Sequence, residues 1–118
     1  MLKFRFSLWL AAVMLFVGCS TVPITGRRQI SFVPQSQLIA SSMDSYNQLI
    51  AQSKLSHDPQ KTQMVVTVGN RIAKSAEQFM RENGMEKELQ NYHWEFNLIE
   101  EDKTVNAFCM PGGKIAVY

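Results

Sequence analysis

The chain has 118 residues, with 12 basic and 10 acidic side chains and 46% hydrophobic residues. That length allows one domain at most, and a net charge of +2 is too modest for a nucleic-acid surface.

Residues 1–18 read as a secretory signal. Lys3 and Arg5 make the positive start, Leu8 to Val17 the apolar stretch, and Gly18 the small residue before Cys19. The apolar run is well short of the roughly 20 residues that a permanent membrane helix needs. Phe16-Val17-Gly18-Cys19 resembles a bacterial lipobox, with Phe16 where Leu is usual, and this marks Cys19 as the lipidation residue. The alternatives are an ordinary signal with a chance cysteine, or an uncleaved anchor. By analogy with bacterial lipoproteins, Ser20 rather than Asp after the cysteine points to the outer membrane. Cleavage would remove Lys3 and Arg5 and no acid, leaving ten basic and ten acidic residues. A lipid on Cys19 would also leave Cys109 without a disulfide partner.

Residues 19–35 contain Pro23, Gly26 and Pro34 and show little periodicity, so they predict a lipid-anchored tether and an extended arm. Residues 36–118 then form the folded region. Ser36 to Ser53 predicts a helix with Leu38, Ile39, Met43, Tyr46, Leu49 and Ile50 as its apolar stripe. Asp58-Pro59 predicts a second helix start, because Asp58 can cap free N–H groups and proline suits the first turn. That helix runs to about Glu82, where Asn83-Gly84 is a stop signal. Its predicted buried stripe is Met64, Val65, Val68, Ile72, Ala76, Phe79 and Met80. Met85 to Asn91 predicts a short helical turn or loop.

From Trp94 the period changes to two. Trp94, Phe96 and Leu98 alternate with Glu95, Asn97 and Ile99, which predicts a strand. Glu100 to Lys103 is a charged turn, and Thr104 to Cys109 a second strand. Pro111-Gly112-Gly113 is a hairpin tip leading to a third strand, Lys114 to Tyr118. The expected fold class is α+β: two amphipathic helices followed by a small antiparallel meander, with both helices on one face.

Catalytic constellations are sparse. His57, His93 and Cys109 have no ligand spacing, and a zinc site needs three or four converging ligands. The plain reading is two loop histidines and a strand thiol. No Gly-x-Ser-x-Gly, phosphate loop or dinucleotide fingerprint is present. Arg27-Arg28 is too short for a nucleic-acid patch. No catalytic and no metal-binding residue is therefore assigned within this chain.

Several segments taken together carry a resemblance. They are the lipobox, Pro-x-Thr-Gly-Arg-Arg-Gln at 23–29, Asp-Pro between the helices, and Val-Asn-Ala-Phe-x-x-Pro-Gly-Gly-x-Ile-x-Val-Tyr at 105–118. Together they resemble the start of bacterial zinc metallopeptidases of the CAAX-prenyl-protease/Oma type. In that family the hairpin is followed by a helix carrying His-Glu-x-x-His, whose histidines bind zinc. The motif does not occur in these 118 residues. The resemblance therefore implies zinc for the intact enzyme, and a chain that by itself binds no zinc and has no peptidase activity.

It also implies that an extended substrate pairs with a strand on the cleft rim, with Asn106, Ala107 and Phe108 as rim candidates. Alternatively, Asn106 stabilises a turn and Phe108 fills the core. The implied function is the N-terminal portion of a membrane-anchored zinc metalloendopeptidase. Its expected place is the bacterial cell envelope, facing the periplasm, with peptides or unfolded envelope proteins as substrates. A reading from another class is a small non-catalytic lipoprotein that adds its last strand, Lys114 to Tyr118, to a partner's sheet.

Overall fold

A computed structural model describes residues 19–22 and 24–118, with Cys19 and Ser20 described by their backbone alone. The signal reading of residues 1–18 and the thiol of Cys19 lie outside the described residues. The chain divides between Gln35 and Ser36.

In the first unit, β1 (Cys19–Thr21) pairs antiparallel with β2 (Arg28–Ile30), Cys19 facing Ile30 and Thr21 facing Arg28. A hairpin thus lies within the predicted tether and extended arm at 19–35. Its tip is closed by the Val22 N–H to the Arg27 carbonyl (2.8 Å) and the Gly26 N–H to the Val22 carbonyl (3.0 Å). Gly26 takes a φ of 66°, which a glycine adopts without a Cβ clash.

The second unit is built from three helices and three strands. Helix α1 (Gln35–Gln52) turns Ile39, Met43, Tyr46, Leu49 and Ile50 inward as its spacing predicts, while Leu38 stays exposed. Helix α2 (Pro59–Glu82) starts as expected. The Asp58 carboxylate accepts the N–H groups of Gln60 (2.9 Å) and Lys61 (3.0 Å), and Pro59 occupies the first turn. It ends in a Schellman arrangement: the Gly84 N–H donates to Arg81 and the Met85 N–H to Met80, with Gly84 at φ 72°. The short α3 (Glu86–Leu89) follows.

The sheet contains β3 (Glu95–Leu98), β4 (Ala107–Met110) and β5 (Lys114–Val117), in the spatial order β3-β5-β4. It is not the predicted meander. β4 and β5 form the expected antiparallel hairpin over Pro111-Gly112-Gly113, with Met110 facing Lys114. β5 then runs parallel to β3, Glu95 facing Lys114 and Leu98 facing Val117. The last strand is inserted between the other two. A meander assumes that successive strands pair, whereas here β4 is only the return stroke that brings the chain back beside β3. The sequence carries a signal for this, because Ile115-Ala116-Val117-Tyr118 is a continuous apolar run, as expected of a strand covered on both faces. With both edges of β5 hydrogen-bonded, it is not a free strand for addition to a partner's sheet.

The helices also differ from the prediction, because they take opposite faces of this sheet. On one face lie Glu95, Asn97, Ile99 and Ala116, under Tyr46 of α1, which is fully buried. Ile50, Leu55, Phe108, Met110 and Tyr118 pack around Tyr46, Ile99 and Ala116. On the other face Phe96 lies against Gly69 of α2 so closely that a Cβ there would collide with its ring. The Trp94 indole N–H donates to Glu77 of α2 at 2.9 Å.

This arrangement corrects the predicted stripe of α2. Gly69 and Ala73 are buried against the sheet, with Ala76 and Met80 half-buried nearby. Met64, Val68, Ile72 and Phe79 are exposed. Hydropathy alone favours the large side chains, but only small ones allow the helix backbone to approach an aromatic ring.

Candidate functional site: the open edge of the sheet

Strand β4 owes its position to the turn that follows it. Gly112 and Gly113 have φ values of 89° and 79°, which L side chains rarely adopt. A Cβ on Gly113 would also stand 2.8 Å from Trp94 Cε3. The turn is pinned by backbone bonds from His93 to the Gly112 carbonyl (2.8 Å) and from Glu95 to the Gly113 carbonyl (3.1 Å).

The hydrogen-bond phase of β4 follows from one contact. The Tyr118 N–H donates to the Asn106 carbonyl at 2.9 Å, so Asn106 and Tyr118 form a hydrogen-bonded pair. Antiparallel pairs alternate, so Phe108 with Ala116 and Met110 with Lys114 are bonded pairs too. The N–H and C=O groups of Ala107 and Cys109 therefore point away from β5, along the outer edge. The Ala107 N–H is met by the Asn106 side-chain oxygen at 2.9 Å. Along that edge stand the carbonyls of Ala107 and Cys109 and the N–H of Cys109. Among the described residues no strand pairs with it. The outer edge of β3 differs. There the loop after α1 bridges it, with Leu55 facing Ile99, the Ser56 N–H on the Leu98 carbonyl and the Glu100 N–H on the Lys54 carbonyl.

The rim candidates thus divide by role. Phe108 turns its backbone to β5 and packs its half-buried ring against the core and Tyr118, with ring centres 6.2 Å apart. Asn106 is exposed, holds Tyr118 through its carbonyl and caps Ala107 through its side chain. Ala107 offers an outward carbonyl. The sequence reading omits Cys109, although counting pairs back from the Gly112-Gly113 turn identifies it. Its thiol contacts the Met110 carbonyl at 3.6 Å, and desolvation raises its pKa, which makes it a poor nucleophile at neutral pH.

Beneath the strands runs a polar chain. The Lys114 ammonium, on a residue only 8% exposed, bonds to Glu95 at 3.0 Å. The Asn97 amide donates to Glu95 (2.8 Å) and to the Tyr46 hydroxyl (3.0 Å), and that hydroxyl donates to the Ile115 carbonyl (2.8 Å). Burial raises the Tyr46 pKa above its ordinary value, against the lowering effect of the Asn97 bond. These contacts tie α1 to β3 and β5.

No metal centre is formed by the described residues. His57 is exposed in the loop before α2 and His93 before β3, and no group of three or more His, Cys, Asp or Glu converges. The residues present do not fit a zinc site. A cavity of about 230 Å³ lies beside the end of β3, and its walls include Ser56, Lys61, Glu100, Asp102 and Tyr118. That is smaller than the roughly 300 Å³ at which ligand pockets begin.

No curated protein and no solved structure matches the chain. The sequence model of peptidase family M48 matches residues 59–118, which takes in α2, α3 and the whole three-stranded sheet. With half of its length matched, including the strand that carries the open edge, the chain belongs to peptidase family M48.

Proposed function

We propose that the chain serves as the N-terminal portion of a zinc metalloendopeptidase of the CAAX-prenyl-protease/Oma type. It is anchored by lipid on Cys19 to the outer membrane of a bacterial envelope and faces the periplasm. Its substrates are unfolded envelope proteins, and its role is their quality control. Family membership supports the peptidase reading, and the order of positive start, apolar stretch and Gly18-Cys19 supports the anchor. The zinc and its His-Glu-x-x-His helix are supplied from outside these 118 residues.

The observation that carries the proposal is the free edge of β4. An extended peptide would accept the Cys109 N–H and donate to the carbonyls of Ala107 and Cys109, adding a strand to the sheet. Such pairing reads backbone rather than side chains, so it suits unfolded proteins of varied sequence. Asn106 and Phe108 position this strand, one by capping Ala107 and the other by filling the core.

The test is hydrogen exchange on the full chain with and without an unstructured polypeptide such as reduced casein. Protection of the Cys109 amide is expected, with little change at Ala116. Cys109→Pro, which removes the outward donor and with it that amide signal, should weaken binding of fluorescently labelled reduced casein, read by anisotropy. An unprotected Cys109 amide would sink the rim assignment. Palmitate labelling that persists in Cys19→Ala would separately sink the anchor.

A further inference from the structure

Helix α2 leaves one apolar face without a cover. Met64, Val68, Ile72 and Phe79 are 65%, 49%, 57% and 44% exposed. At about 100° per residue these four lie within an arc of about 80°. The same arc contains Lys61 near the start of the helix and Glu82 at its end. Four large apolar side chains on one line form a patch, which differs from the scattered exposure usual on protein surfaces. Among the described residues none covers this face fully.

We propose that this face docks antiparallel on the same face of a second copy of the chain. Two antiparallel helices related by a two-fold axis oppose residues whose numbers have a constant sum. An axis passing between Arg71 and Ile72 puts Met64 opposite Phe79, Val68 opposite Ser75 and Lys61 opposite Glu82 of the other copy. One register therefore satisfies both the apolar contacts and the charges at the ends. Ser75, the small residue in the row, leaves room for the Val68 it faces. Beside the axis Ile72 stands opposite Arg71 of the other copy, one residue away from its own equivalent. The parallel alternative would set Lys61 on Lys61 and Glu82 on Glu82, so charge selects the antiparallel arrangement. Glu82 already accepts the Gln78 amide at 2.8 Å, but a carboxylate has about four acceptor sites and can take the lysine as well. The proposal does not depend on the peptidase reading, because it uses only α2.

The experiment uses the full chain in mild detergent, as an equal mixture of isotopically light and heavy copies. Phe79 is replaced by the photocrosslinking residue benzoylphenylalanine. After irradiation, mass spectrometry should find light–heavy dimers with the adduct on Met64. Lys61→Glu should lower the yield of that adduct about fivefold, and adding Glu82→Lys in the same chain should restore it. Both positions are exposed, so the variants should keep the circular dichroism of the parent. Adducts confined to one copy, or on detergent or lipid, would overturn the proposal. So would a dimer whose yield ignores the charge reversal. Association through residues 1–18 alone would leave Met64 without an adduct from the other copy, and that also counts against it.

Discussion

β4 and β5 are adjacent strands of the same length, joined by one tight turn, and their surroundings are opposite. β5 is bonded along both edges, with Lys114 and Ala116 buried and Ile115 and Val117 half-buried. β4 is bonded along one edge, and Ala107 and Cys109 remain exposed. Composition does not separate them, since each mixes apolar residues with one polar or thiol side chain. Place in the sheet does. A central strand must satisfy every backbone group inside the protein, while an edge strand keeps alternate groups available. The same hairpin therefore contains a central strand and, among the described residues, an unpaired edge.

The strongest way to break this comparison is proline on each strand. Ala116→Pro removes an N–H that bonds to Phe108 within the core, and should cost about 3 kcal/mol or more in urea unfolding. Next comes the buried cation. Glu95→Ala leaves Lys114 without its carboxylate and should cost about 1–2 kcal/mol, a figure reduced because Glu95 is partly exposed. Lys114→Met, which keeps the stem and removes the charge, should cost less, and the reverse order would show that the pair is not what holds β5.

Tyr46→Phe should cost about 1 kcal/mol at pH 7, for the lost bonds to Ile115 and Asn97. It should also change the alkaline limb. The folded Tyr46 has a raised pKa, so its contribution is complete below the unfolded value of 10.0 and is lost as pH rises toward the folded pKa. The parent should therefore weaken more steeply above pH 10 than the Phe variant, as followed by urea midpoints across that range. The smallest effect is expected at the edge. Cys109→Pro should change stability by about 0.5 kcal/mol or less, because its N–H points away from β5. A large loss there would mean that the edge is covered.

Elements with a local chemical cause were legible in advance. Asp58-Pro59 starts α2, Gly84 stops it, Pro111-Gly112-Gly113 turns the hairpin, and the alternation from Trp94 separates the two faces of β3. The errors arose where distant segments decide. The predicted α2 stripe follows mostly large side chains, but the sheet selects Gly69 and Ala73, because Phe96 needs the helix backbone close. Within the predicted tether and extended arm at 19–35, residues 19–21 and 28–30 pair as a hairpin, a contact between segments that hydrophobic period does not specify. At the candidate site, the family resemblance groups Asn106, Ala107 and Phe108. Only the hydrogen-bond phase distinguishes the outward groups of Ala107 and Cys109 from the inward ones of Phe108.

By itself the sequence determined the helices, the turns, the α+β class and the kinship with metallopeptidases. Capping residues, glycines at positive φ and hydrophobic period act within a few neighbours, so they can be read along the chain. Tertiary structure alone decided that β5 lies between β3 and β4, that α1 and α2 take opposite faces, and which edge of the sheet stays open. Those outcomes depend on which distant backbone groups bond to one another. Every residue except proline carries the same N–H and C=O, so residue identity alone does not settle the pairing.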